Sequence, residues 1–570
     1  MIAGLPRLTR ASPLLMALLV SACGLPGPGP QNPSIPGAGQ QTERTSLTIG
    51  IAQELPHLGN FAGAEQETGD LVNAGLVTRN AATFEDLPWL AESLPALGTD
   101  SWVVDPDGTM STTYHLRSDV LWHDGTPFSS RDIAFGWEVT HDPRVNYQQR
   151  EVAELITGNE TPDDRTLTLH WSKTYPFADR VFRRHLLPLP RHLMEAPYRA
   201  GDYERFEALP YWTREFVGTG PFRVVDFQPG SVAELEAFDR YFLGPPKIDH
   251  VTVRVFMETT VALTNVLANN VDVTMRSALP LEGGLVAKAQ WEARGEGAVY
   301  IVPAAFWWLN LSGTNLLFDD PRVRAGLLHA IDREAMSQSL TSGQEPVVDF
   351  PLSPRRPQFS RADAVASKYP YDVERARTLI AQAGWTPGPD GVLVNASGAR
   401  FAFEGRTVAG RLQIEQMQGA TIDNWKAIGA EATVNNLSLT VDRGEDFRNR
   451  WPGAYWASHD ISPENWPSHF HTSNIPGPDN RWSRLNVSRW SNPEKDALLD
   501  DMNRTLNRAE WDGEVVDFIR LFTRDLPYLP LLYGSIVLTV RSGLTGIGPI
   551  YEAGEPNSRN WNAHEWEWRK

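Results

Sequence analysis

A chain with one thiol has to hold itself together by packing alone. The only cysteine among the 570 residues is Cys23, so no internal disulfide can form. A single hydrophobic core does not grow to this length, and two or three lobes are expected. Cys23 also stands at an informative place. Arg7 and Arg10 precede the apolar run from Leu14 to Val20, which is too short to span a bilayer as a helix, and Leu19-Val20-Ser21-Ala22 leads into the cysteine. The stretch 24–41 is rich in Pro and Gly with almost nothing to bury, and reads as a disordered tether. A formal charge of −18 would repel a nucleic-acid backbone, so no nucleic-acid partner is expected.

The small residues before Cys23 resemble the cleavage box of bacterial lipoproteins. That resemblance implies a signal peptide over 1–22, a tether over 23–44, and Cys23 as the lipid-modified first residue of a chain anchored to the cell membrane. The folded body would then be extracytoplasmic, on the periplasmic or outer cell-surface side. Leu529 to Val540 is the most apolar later run, but Pro530 and its length make it a buried strand.

Further on, Ser46 to Ile51 alternates as a first strand, and a helix is expected around Leu71 to Val77. Asp107-Gly108 and Asp124-Gly125 are turn signals, and Ser129 or Ser130 can cap a helix holding Asp132 to Trp137. Phe306-Trp307-Trp308-Leu309-Asn310-Leu311 reads as a short aromatic strand. Asp320 and Pro321 then supply an N-cap and a first helical residue.

Leu116-Arg117, Leu121-Trp122-His123-Asp124-Gly125-Thr126-Pro127-Phe128 and Asp132-Ile133-Ala134-Phe135-Gly136-Trp137 together resemble the signature block of the bacterial solute-binding proteins of family 5, the oligopeptide/dipeptide/nickel type. Other blocks follow in the family's order. They include Leu87 to Ser93, Val217-Gly218-Thr219-Gly220-Pro221-Phe222, Tyr241 to Asp249, Asp320 to Arg333, Tyr371 to Trp385 and Trp490 to Leu499. Two positions depart from the pattern: Asp239 where Asn is usual, and Asn270 where Gly is usual.

The resemblance implies an α/β fold of the periplasmic-binding-protein type. Two ligand-clasping lobes, one of them discontinuous, would be joined by an extra domain, with ligand in the interlobe cleft. Carried over, lobe I comprises 45–88, 218–302 and 535–570, the extra domain 89–217, and lobe III 303–534. Trp307 and Trp308 then lie just past a lobe crossover as cleft-wall candidates, and strand alternation allows only one of them to face the cleft. The loop Tyr455-Trp456-Ala457-Ser458-His459-Asp460, with Trp466 beyond it, is the second candidate. Relatives place there an acid that pairs with a peptide's ammonium group. Counting from Trp456 puts that acid's place on His459, with Asp460 one residue later.

Gly218-Thr219-Gly220 precedes Pro221 and is neither a dinucleotide fingerprint nor a P-loop. No Gly-x-Ser-x-Gly elbow or Cys-x-x-Cys pair occurs. No enzyme activity, cofactor or metal is expected. The chain reads as the substrate-binding component of an ABC importer, a monomer that captures short peptides or a similar extended solute. It would deliver them to a membrane permease coupled to ATPase subunits. A surface receptor or chaperone-like lipoprotein of the same fold, or a binder of a sugar or metal chelate, is the alternative.

Overall fold

The computed structural model describes residues 45–58, 67–147, 150, 152–275, 277–312, 315–438, 453–459, 461–480, 482, 484–548 and 560–569. Cys23, the leader and the tether lie outside the described residues, as does Asp460. The elements needed below are β1 (Ser46–Ile51), β2 (Trp102–Val104), β3 (Met110–His115), α1 (Ser130–His141), β4 (Ile156–Asp163), β5 (Thr166–Trp171), β6 (Phe222–Gln228), β7 (Val232–Ala237), β8 (His250–Val255) and β9 (Val273–Thr274). After these come β10 (Gly297–Leu311), α2 (Pro321–His329), α3 (Arg333–Thr341), β11 (Ala402–Arg406), α4 (Leu412–Lys426), β12 (Glu431–Val434), β13 (Ala454–His459), α5 (Arg508–Asp525) and β14 (Tyr528–Arg541).

Among the described residues, ten strands form one sheet in the order β12-β11-β13-β10-β14-β9-β1-β8-β7-β6. A separate antiparallel sheet, β2-β3-β5-β4, carries its own core around Tyr114, Trp122 and Trp171. The centre of the large sheet is the long antiparallel pair β10/β14, matched from Gly297↔Arg541 to Asn310↔Tyr528. Phe306 to Leu311 is therefore the end of a 15-residue strand rather than a short one. Its partner is the apolar run expected to be buried.

Local chemistry shapes the termini of the helices. Asp320 caps α2, its side chain accepting from the Arg322 N–H, with Pro321 as the first residue. Ser129 and Asp132 form a capping box on α1. The expected helix through Val77 stops instead at Val72. Asn73 is extended and its Oδ1 accepts from the Thr219 hydroxyl at 2.9 Å. Gly75 then passes so close to Arg183 that a Cβ there would lie 2.5 Å from the Arg183 backbone nitrogen. Close backbone contact, not helix propensity, decides this segment.

His123 joins two of the sequence blocks. The Gly218 N–H donates to its Nδ1 at 3.2 Å, so Nε2 carries the proton and donates to the Gly220 carbonyl at 3.0 Å. The neutral ring is satisfied, and a second proton on Nδ1 would face the Gly218 N–H. Burial pushes its pKa down to about 4. A histidine depressed in this way contributes stability in full above its unfolded pKa of about 6.5, and that contribution is lost as pH falls through about 4. The expected size is about 3 kcal/mol. His123→Gln should therefore flatten the acid side of the stability profile measured by denaturant unfolding. An unchanged profile would dismiss this role.

Candidate functional site

Strand direction locates the site. In one half of the sheet, β1 runs parallel to β8 and β9, and β9 pairs with β14 at Val273↔Val540, heading toward lower β14 numbers. In the other half, β11 runs parallel to β13, and β13 pairs with β10 from Ala454↔Leu311 to His459↔Phe306. The carboxyl ends of both sets thus converge on the middle of the β10/β14 pair. Ligand sites of open α/β sheets lie at such strand ends, where hydrogen-bonding backbone is exposed.

The register breaks at that middle. Pro303 pairs with Ser535 and Ala305 with Gly534, leaving Ala304 as an extra residue. Such a bulge bends the pair. At the strand ends of one half stands Ser277, just past β9, whose hydroxyl donates to Glu67 at 2.8 Å and accepts from the Ala52 N–H at 2.9 Å. From the other half come Trp307, Glu345, Gln413, Arg406 and Thr407. Arg406 is buried and 3.5 Å from Glu404. The Thr407 hydroxyl donates to the Trp456 carbonyl at 3.1 Å.

The two tryptophans of β10 take opposite faces, as strand alternation requires. Trp308 is 2% exposed, stacked on Tyr528 at 4.6 Å with an 8° tilt and flanked by Phe306. It is a core residue. Trp307 is partly buried, lies over Gly534, and donates its indole N–H to Glu345 at 3.1 Å. Gly534 is needed because a Cβ there would stand 2.9 Å from the Trp307 Nε1.

Two further expectations are corrected by burial. Trp456 is 1% exposed and packs beside Trp425 and Gly405, its N–H 3.4 Å from the Thr421 hydroxyl. Trp466 is 0% exposed and stacks on Phe518 at 4.3 Å. Their positions near a loop suggested a wall, but both rings are enclosed by helices covering the sheet. Tyr455, on the opposite face from Trp456, is partly buried and pairs in register with Arg406. His459 ends β13 opposite Phe306, and its side chain, like Asp460, lies outside the described residues.

Glu345 carried no sequence signature. It is 1% exposed, and its Oε1 accepts from the Ser535 backbone N–H at 2.8 Å. Its Oε2 accepts from Trp307 and from Gln413 Nε2, the latter at 2.6 Å. Burial raises the carboxyl to about 7 against the pull of these donors. The one legible hint was Gly534-Ser535 interrupting an apolar strand, a mark of close approach. A surface hollow of about 460 Å³ lined by Trp137, His141, Arg144 and Tyr198 lies away from the strand ends. Its charged groups already satisfy each other, Arg144 forking onto Asp142 and Tyr198 donating to Asp142 at 2.9 Å.

A bent strand pair, an aromatic face and polar groups at converging strand ends suit the grip of an extended solute. The sequence profile described as bacterial extracellular solute-binding proteins, family 5 Middle, matches residues 88–476. The chain belongs to family 5 of the bacterial extracellular solute-binding proteins. This family binds solutes for transport, is extracytoplasmic, and is not one of enzymes. The oligopeptide-binding protein AppA of Bacillus subtilis is 23% identical over 546 residues, covering 94% of each chain. The heme-binding protein A of Haemophilus influenzae is 26% identical over 452 residues, covering 73% of this chain and 74% of its own. Among solved structures, AppA in complex with a nonapeptide superimposes with a TM-score of 0.68 at 21% identity, covering 92% of this chain and 99% of that one. The oligopeptide-binding protein of Thermus thermophilus with a pentapeptide gives 0.69 at 23% identity, covering 92% and 96%. At such identities the structural likeness is one of fold, and the fold is that of family 5. Among the described residues no helix is long and apolar enough to cross a membrane.

Proposed function

We propose that this family 5 protein captures short peptides, or a similarly extended solute, outside the cytoplasmic membrane and delivers them to the permease of an ABC importer. The observation that carries the reading is the convergence of strand carboxyl ends from both halves of the sheet on the bulged β10/β14 pair, beside the partly buried Trp307. The peptide-bound relatives support the solute class. In this reading 45–88, 218–302 and 535–570 form one lobe, 303–534 the other and 89–217 the extra domain, and closure is a hinge motion about the bulge. Trp307 and Tyr455 supply aromatic contact, and His459 or Asp460 is the candidate partner of a peptide's ammonium group. The protein acts as a monomer held to the membrane by a lipid on Cys23.

Native mass spectrometry of the purified protein tests the solute. A ladder of peptide masses is expected, whereas sugar, haem or metal alone would refute the peptide assignment. Trp307→Ala is expected to weaken binding of the co-purified peptide by about 1–3 kcal/mol in calorimetry. Trp308→Ala should lower the unfolding midpoint instead. Equal affinities in wild type and Trp307→Ala would remove Trp307 from the site. For the anchor, Cys23→Ser should release the protein from the membrane fraction, and retention there would count against lipidation.

A further inference from the structure

Glu345 gathers three elements on one buried carboxyl. The donors are the Ser535 N–H of β14, the Trp307 indole of β10 and the Gln413 amide of α4. Its own backbone is tied to α3, its N–H donating to the Thr341 hydroxyl and its carbonyl accepting from the Ser337 hydroxyl. Every one of these neighbours is neutral. The Ser535 N–H stands beside the bulge, where Ser535 pairs with Pro303, and Trp307 lies across the neighbouring Gly534.

We propose that Glu345 is a positioning residue for solute capture: it clamps the Trp307 indole to the bulge, so that the aromatic wall and the bend between the two halves move together. This rests on the reading of that junction as the solute site. One observation supports it beyond the contacts themselves. The carboxyl titrates near neutrality, raised to about 7 by burial. As the anion, Glu345 accepts from all three donors through charge-assisted bonds, which are roughly twice as strong as neutral ones. Protonated, it loses the charge that strengthens these bonds, and its hold on Trp307 weakens.

The test is fluorine NMR of the full chain labelled with fluorotryptophan, with the Trp307 signal identified by its absence in Trp307→Phe. In solute-free wild type that signal should move with pH with a midpoint of about 7, and in Glu345→Gln it should be flat across the same range. Glutamine keeps the shape but presents an N–H to donors, so its Trp307 signal should also sit apart from wild type at every pH. Trialanine affinity should weaken about fivefold from slightly alkaline to slightly acid buffer in wild type, and not in Glu345→Gln. A Trp307 signal that ignores pH in wild type overturns the proposal, and so does a titration that survives unchanged in Glu345→Gln. Should Glu345→Gln fail to fold, the wild-type titration decides alone. Absence of trialanine binding at every pH with the titration intact would count against the peptide reading and would leave the clamp supported.

Discussion

Replacing Glu464 by alanine should destabilise the protein by about 3 kcal/mol, because it removes the two-bond carboxylate partner of a buried guanidinium. Arg356, with a side chain 7% exposed, forks onto Glu464 through two bonds of 3.0 Å, and the Glu464 side chain is 20% exposed. Burial alone would raise this carboxyl, but Arg356, Arg180 and Arg79 more than reverse that and hold it well below the usual range. The neighbourhood is crowded with cations. Arg180 bonds Asp86 at 2.8 Å and lies over Phe177, which meets Trp511 of α5 edge-on at 5.3 Å, with Arg508 over both rings. Removing the carboxylate therefore leaves like charges facing one another in poor contact with water. The double variant Arg356→Met with Glu464→Leu should recover most of the loss, since an apolar pair costs no desolvation. A depressed carboxyl contributes in full above its unfolded pKa of about 4.5 and loses that contribution only as pH falls toward its folded value. Wild type and Glu464→Ala should therefore converge in acid. Denaturant unfolding measures both effects. A Glu464→Ala variant as stable as wild type at neutral pH would show that the pair is solvated.

Gly220→Val is expected to leave little folded protein. A Cβ at this position would stand 2.4 Å from the Val72 carbonyl carbon, 2.6 Å from the Asn73 nitrogen and 2.7 Å from the Leu71 oxygen. All three are backbone atoms, and side-chain rotation cannot relieve the clash. The strand of chain they belong to is fixed in turn: Gly220 donates to the Val72 carbonyl at 3.1 Å, and the Thr219 hydroxyl accepts from the Ala74 N–H at 3.1 Å. Overpacking costs about 1–3 kcal/mol where side chains can yield, and more is expected where they cannot. Gly158→Ala is the control, because a Cβ there meets nothing within 4 Å, and its cost should stay within about 1 kcal/mol. Soluble yield and thermal unfolding report on both. If Gly220→Ala melts with wild type, the close-approach account of this glycine fails.

The same block shows why some of the chain was readable in advance. Asp124-Gly125 is a turn by local rules, with Gly125 at a φ of 91° and its N–H on the Trp122 carbonyl at 2.8 Å. The caps at Ser129 and Asp320 are equally local, since each side chain reaches only a few residues along. The alternation of β1 placed Leu47, Ile49 and Ile51 in the core. The order of the blocks was sufficient to identify the family. Where local signals met long-range contact they gave way, as at Asn73 and Gly75, whose partners are more than a hundred residues distant.

By itself, then, the sequence determined the turns, the caps and the family, because each is encoded within a few residues or in their order. Only the tertiary structure decided which aromatic rings are available to a solute. Trp307 and Trp308 are adjacent and chemically identical, and the choice between them is made by Tyr528 on one face and by Gly534 and Glu345 on the other. Trp456 and Trp466 are covered by residues of α4 and α5, which no local pattern links to them. Glu345 gains its role from strands and helices that fold onto it from 38, 68 and 190 residues away in sequence. A buried carboxyl is made by its enclosure, and enclosure is a property of the packed chain.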